Sequence, residues 1–198
     1  MTKDEIRFRI WDYMEKNNLI TFPKPCYGRI PNFVGAEKAC AQLLKIPEFE
    51  IAQCIFTAPD AVLSAARRLI LAKGKILLVA LPHITDYKEI KGKELASKAI
   101  TIQGFKRYGE TPQTPAELFI QGSVAVDLQG NRLGKGKGYG DREYEELLSR
   151  KLLKPDAKVI TIVHECQIVP DFSKLVTEKD IKVDYILTPQ KVIKIHNL

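Results

Sequence analysis

The sequence predicts a single α/β domain, 1–198, built from parallel strand–helix units. Three observations carry that prediction. Amphipathic stretches of helical period alternate along the chain with short apolar runs, in the manner of α/β units. One run, Lys75-Ile-Leu-Leu-Val-Ala-Leu81, is continuously apolar, as in a strand covered on both faces. The chain has 198 residues, 45% of them hydrophobic, enough for one unstapled core.

The elements follow in order. Thr2 with Glu5 forms a capping-box pattern, so a helix is expected from Lys3 to about Lys16, ending at Asn17-Asn18 with Ile6, Ile10 and Met14 on one stripe. Residues 21–35 hold three prolines and two glycines and read as extended loop. A short helix spans about 37–44 and stops at Ile46-Pro47. Residues 49–56 read as a strand. Asp60 is placed to cap a helix over 61–73, and Gly74 sits where a C-terminal glycine belongs. Residues 82–115 are mixed, with one helix expected near 94–99. A strand over 117–126 precedes a glycine-rich turn and a helix over about 141–151. Strands at 159–163 and 185–187 and a short edge strand at 192–195 complete the chain.

Composition narrows the function. No apolar stretch is long enough for a membrane span, and Met1-Thr-Lys-Asp-Glu5 is too charged for a signal peptide, so a soluble, cytoplasmic protein with no membrane partner is expected. Cys26, Cys40, Cys54 and Cys166 lack the paired spacing of a disulfide framework or zinc site and read as buried free thiols. The net charge of +7 favours anionic partners without choosing among ATP, a polyglutamylated cofactor and RNA. His164-Glu-Cys166 ends a strand, and His164 reads as a structural residue rather than a catalytic one.

The most informative stretch runs from Gly130 to Tyr144. Glycines at 134, 136, 138 and 140 let the backbone turn tightly and bring its N–H groups to a ligand. Arg132, Lys135 and Lys137 interleave with them, and the run lies between a strand and a helix N-terminus, a ready anion site. It is neither a Walker A loop nor a Rossmann fingerprint. Lys3 and Arg7 share one face of the first helix. Asp141 reads equally as a magnesium ligand between phosphates and as a helix cap. Asp184 stands at the edge of an apolar strand.

Together these pieces resemble the 5-formyltetrahydrofolate cyclo-ligase family. The resemblance rests on Lys3-Asp-Glu-Ile-Arg7, on Gly130 through Asp141 and on Lys182-Val-Asp184, with Gly74 through Val79 and Glu165-Cys-Gln167 in support. A nearer likeness is to its methenyltetrahydrofolate synthetase domain-containing branch, through Ile10-Trp-Asp-Tyr-Met14, Arg29-Ile-Pro-Asn-Phe33 and Gly122-Ser-Val-Ala125. Two positions depart from the ligase pattern: Gly140 stands where the ligases carry a second tyrosine, and Thr57-Ala-Pro-Asp60 stands where they carry a folate-binding glutamate.

The resemblance implies a three-layer α/β/α sandwich around a mainly parallel sheet. It implies ATP-dependent cyclisation of 5-formyltetrahydrofolate to 5,10-methenyltetrahydrofolate, with ATP and Mg2+. Lys3, Arg7, Arg132, Leu133, Gly134, Lys135, Gly136, Lys137, Gly138 and Tyr139 would bind ATP, with Lys137 and Arg132 catalytic. Lys135, Tyr139 and Asp60 would face the substrate, and Asp141 and Asp184 the metal. Two other readings are open: a non-catalytic ATP- or RNA-binding module, although no RNA-binding motif with interleaved aromatics is present, and an ATP-dependent enzyme acting on another pterin.

Overall fold

The computed structural model describes residues 1–196. Helix α1 (Lys3–Lys16) starts at Thr2, whose hydroxyl accepts from the Glu5 amide at 3.1 Å. The return bond of a full capping box is not formed among the described residues. Ile6, Ile10, Trp11 and Met14 are its buried stripe.

The next segment corrects the sequence reading. After α2 (Ala36–Ala41) and one tight turn, Pro47 opens a further helix, α3 (Pro47–Ile51), where an extended strand was expected. Proline's fixed φ suits the first helical position, and Glu48 and Glu50 favour a helix N-terminus. Strand β1 is therefore only Cys54–Thr57. Asp60 does not cap the following helix through its side chain: a tight turn over Ala61–Leu63 leads into α4 (Ser64–Ala72). Gly74 does follow the helix end, with φ +73°.

Strand β2 (Ile76–Ala80) falls on the apolar run, and β3 (Tyr87–Ile90) was not anticipated. The helix expected at 94–99 is a single tight turn at Lys93–Leu95. The true helix is α5 (Ile102–Tyr108), capped by the Thr101 side chain. Strand β4 (Ala116–Gly122) stops short of residue 126. Beyond it β5 (Ala125–Val126) pairs with β6 (Arg132–Leu133) in a separate antiparallel ribbon. Helix α6 (Tyr139–Ser149) begins two residues earlier than expected. Strand β7 (Leu153–Ile162) extends well ahead of its apolar half, through a stretch in which residues 154–156 and 158 are exposed. Strands β8 (Tyr185–Leu187) and β9 (Val192–Lys194) close the sheet.

The seven-stranded sheet has the order β3-β2-β1-β4-β7-β8-β9. Its inner pairs are parallel, and only the two edge strands run antiparallel. Alternate residues divide the core in two. Ile55, Leu77, Val79, Leu118 and Ile160 pack with buried residues of α1 to α5. Phe56, Leu78, Phe119, Val159 and Ile186 pack with Leu147 of α6 on the other face. The predicted three-layer α/β/α sandwich is thus present but lopsided, with α6 the one helix on the second face among the described residues. Among the described residues no helix is long and apolar enough to cross a membrane.

Candidate active site

From β1 the chain winds outward to β2, then returns to place β4 on the other side of β1. That reversal splays the loops that follow β1 and β4, and in such sheets it leaves a crevice beyond the carboxyl ends of the strands. A cavity of about 640 Å³ lies there. Residues 58–60 after β1, 81–84 after β2, Gln121 and Gly122 of β4, the glycine-rich loop, Glu143, Asp180, and Lys3 and Arg7 of α1 line it.

The loop is held from behind. Asp127 is fully buried and accepts from the amides of Gln129, Asn131 and Phe172 and from the Asn131 side chain, fixing the turn that leads into β6. Arg132 is buried as well. Its Nε donates to Ser123 Oγ at 3.2 Å and its Nη2 to the Gly122 carbonyl at 3.0 Å, tying the start of the loop to the end of β4. Burial pulls the Arg132 pKa down, while Asp141, Asp60, Glu143 and Asp180 oppose that pull. Arg132 therefore anchors the loop while lining the cavity.

From Gly134 to Gly138 no backbone N–H donates to another backbone group among the described residues. Unpaired consecutive amides at a helix N-terminus form a concavity suited to anions. Gly136 has φ +103°, a conformation that a branched residue avoids. Arg7 closes the loop from the opposite wall: its Nε donates to the Gly134 carbonyl at 2.7 Å and its Nη1 to Asp4 at 2.7 Å. Lys3 lies against Asp180 at 3.3 Å. Lys135 stands over the Tyr139 ring, and the Tyr139 hydroxyl meets His83 Nδ1 at 3.1 Å. Lys137 is exposed at the loop tip.

The far wall is acidic and polar. Asp60 faces Lys135 and Arg132, and burial pushes its pKa up. Glu143, one turn into α6, is buried, and burial together with nearby Asp60 pushes its carboxyl up to about 8. Asp141 lines the cavity and accepts from the Ile181 amide at 3.1 Å. The structure does not bring Asp184 to it. That carboxylate accepts from the Val159 amide at 2.8 Å, at the amino end of β8, whereas the cavity opens at the carboxyl ends of β1, β2 and β4. Asp180 also joins Asp60, Asp141 and Glu143 there, from a loop whose sequence carries no pattern to announce it. Among the described residues no group of three or more acids, histidines or cysteines is placed to hold a metal ion.

The other chemistry read from the sequence resolves as structure. His164 Nδ1 accepts from the Cys166 amide and caps a tight turn. Cys26, Cys40 and Cys54 are buried free thiols and Cys166 a half-buried one. Burial pushes the first three up to about 12 and Cys166 to about 11, which keeps them protonated and inert.

Fold and site define an α/β domain with a glycine-rich loop and a polar cavity at the carboxyl edge of its sheet. The sequence model of the 5-formyltetrahydrofolate cyclo-ligase family matches residues 1–189, and the chain belongs to that family. It is 40% identical over 204 residues to the human methenyltetrahydrofolate synthase domain-containing protein and 39% identical to the bovine one, covering 98% of this chain in each case. The chain spans about half the length of these relatives, 53% of the human and 54% of the bovine protein. A probable 5-formyltetrahydrofolate cyclo-ligase of Schizosaccharomyces pombe is 25% identical, covering 91% of this chain and 98% of that protein. The fold is shared with the 5,10-methenyltetrahydrofolate synthetase of Aquifex aeolicus (TM-score 0.62, 22% identity, 100% of this chain and 95% of that one). It is shared also with that of Mycoplasma pneumoniae (TM-score 0.57, 16% identity, 96% and 99%).

Proposed function

We propose that the domain catalyses ATP-dependent closure of 5-formyltetrahydrofolate to 5,10-methenyltetrahydrofolate. One observation supports this above the others: the glycine-rich loop, whose amides from Gly134 to Gly138 have no backbone partner, and the polar residues Asp60, Gln121 and Glu143 line a single cavity. A phosphoryl donor and its acceptor held there would be neighbours. The formyl oxygen takes the γ-phosphoryl group and ADP leaves. N10 then bonds to the formyl carbon, loses its proton, and phosphate departs with the oxygen.

For such a transfer the protein supplies position and charge. The loop amides, Arg7, Lys135 and Lys137 would hold the phosphates, and Arg132 would keep the loop in place. Lys3 would join them on release from Asp180. Asp141 would hold a magnesium ion, which commonly takes one or two carboxylates and would neutralise phosphate charge there. Asp60 and Tyr139 would face the folate.

The test is a spectrophotometric assay, because the methenyl product absorbs where the formyl compound does not. Product should form with MgATP and disappear in Asp141→Asn. No product at high enzyme concentration, with ATP binding intact, would assign the cavity to another pterin, a reading that Gly140 and Asp60 favour. The RNA-binding reading has only the net charge of +7 behind it.

A further inference from the structure

The turn between β2 and β3 forms part of the cavity wall through residues 81–84. Its base is pinched shut by the Leu81 amide, which donates to the Asp86 carbonyl at 2.8 Å. Its other bonds are internal, from the Ile84 amide to Leu81 and from Thr85 to Pro82. At the tip, two adjacent residues other than glycine hold left-handed backbone, His83 at φ +57° and Ile84 at φ +55°. A β-branched residue avoids that region, and strain of this kind persists only where the surroundings impose it. Two contacts impose it here. Ile84 packs against the core beneath α6. His83 Nδ1 meets the Tyr139 hydroxyl at 3.1 Å, the rings edge to face with centroids 6.0 Å apart. Among the described residues, this is the one hydrogen bond that ties 82–85 to a distant part of the chain. His83 is exposed and Tyr139 half-buried, so their bond crosses the open side of the cavity.

The far end of that bond is firmly held. Tyr139 opens α6 directly after Gly138, with Arg142 at 4.8 Å and Lys135 at 5.6 Å from its ring. Arg142 in turn donates to the Lys137 and Gly138 carbonyls, tying the ring to the glycine-rich loop. We propose that His83 is a positioning residue: through Tyr139 it latches the β2–β3 turn to the glycine-rich loop, and the closed latch keeps water from the phosphorylated formyl group. This deepens the cyclo-ligase reading and rests on it. Once the formyl oxygen carries the phosphoryl group, the formyl carbon is open to any nucleophile. Attack by N10 gives the product. Attack by water places the water oxygen on that carbon, expels phosphate with the original oxygen, frees a proton and returns 5-formyltetrahydrofolate, so ATP is hydrolysed without product. Drawing two cavity walls together excludes that water. A single bond between a phenol and an imidazole, in which either group can donate, is also weak enough to reopen at every turnover.

Two measurements test the latch. Hydrogen exchange of the ligand-free protein reads the turn itself. In His83→Ala and in Tyr139→Phe the amides of residues 83–86 should exchange roughly fivefold faster than in the wild type, the worth of one hydrogen bond. Combining the two changes should add nothing, because both remove the same bond. His83→Asn should restore the wild-type rate, since its side-chain amide reaches the position of Nδ1 and asparagine tolerates left-handed backbone. The second measurement counts phosphate and methenyl product in one reaction with MgATP and 5-formyltetrahydrofolate. The wild type and His83→Asn should release one phosphate per product, and His83→Ala roughly two or more. A merely structural histidine would slow turnover without changing that ratio.

Unchanged exchange in His83→Ala overturns the latch, as does faster exchange that Tyr139→Phe does not share. Faster exchange with phosphate and product still equal in His83→Ala overturns its part in keeping water out. Matched acceleration of exchange in the two variants, with no methenyl product from any protein, keeps the latch and sinks the cyclo-ligase reading. One-to-one turnover in every protein with unaltered exchange does the reverse.

Discussion

At the loop end of the cavity the wall is mainly backbone, five consecutive residues whose amides lie within one short segment. At the floor it is side chain: Asp60 from the β1 loop, Gln121 from β4 and Glu143 from α6, brought together only by the crossing of the chain. The difference has a physical consequence. Backbone amides carry no identity of their own, so the loop end depends on conformation and should fail when a glycine is lost. The floor depends on the particular atoms it presents and should respond to pH and to single polar substitutions.

The largest effect expected is at the loop. Gly136→Val places a branched residue at φ +103°, strain of about 1–3 kcal/mol that the loop can relieve only by turning its amides away. Gly136 is exposed and a Cβ there meets nothing closer than Arg7 at 3.7 Å, so the fold survives. ATP binding should vanish by calorimetry with little change in circular dichroism. Unaltered ATP affinity would show that side chains, not backbone, hold the anion.

This contrast also marks what the sequence could reveal. The glycine-rich loop is local, so its spacing alone singles it out between a strand and a helix, and the structure puts it on the cavity. Lys3 and Arg7 were likewise legible through helical period. The floor left no such trace. Gln121 sits in a strand where a glutamine reads as ordinary, and Glu143 looks like one acid among several on an amphipathic helix; only burial sets them apart. Asp184 differs: an acid at a strand edge reads by itself as a turn residue, its metal role comes from the resemblance alone, and the structure puts it away from the cavity. In the fold, continuous apolar runs identified β2, whereas the polar leading half of β7 and the proline-initiated α3 broke the expected period.

The floor makes a second prediction, through Glu143. Its carboxyl is raised from its ordinary 4.5 to about 8 in the folded protein, first by burial and then by Asp60. The folded state therefore binds more protons than the unfolded one between those values, and stability must fall as pH rises through them. The loss amounts to a few kcal/mol, complete only above the folded value. Glu143→Gln keeps the shape and removes the titration. Thermal melts from pH 5 to 9 should show the wild type losing stability relative to the variant as pH rises. Parallel curves would mean that Glu143 titrates alike in the folded and unfolded chain.

The smallest effects expected separate the two cations of α1. Arg7 touches the loop directly, through the 2.7 Å bond to the Gly134 carbonyl, and keeps guanidinium N–H groups for an incoming phosphate. Arg7→Ala removes both a contact and a brace, and losing a charge-assisted bond of this kind costs roughly 1.5–3 kcal/mol, about ten- to a hundredfold in ATP affinity. Lys3 begins in a different state, since Asp180 holds it at 3.3 Å in a pair that is partly exposed. Before it can serve a phosphate it must give up that partner, and exposed pairs are worth only about 0.2–1 kcal/mol. What Lys3 gains from the ligand is thus offset by what it leaves, and Lys3→Ala should weaken ATP binding by less than about tenfold. Titrations of both variants at low and high salt would measure the gap. Equal losses in the two would mean that Lys3 reaches the phosphates as directly as Arg7 does and that its pairing with Asp180 breaks without cost. Asp180→Asn supplies the complementary test: with its partner neutralised, Lys3 is free from the start, and ATP should bind more tightly than in the wild type.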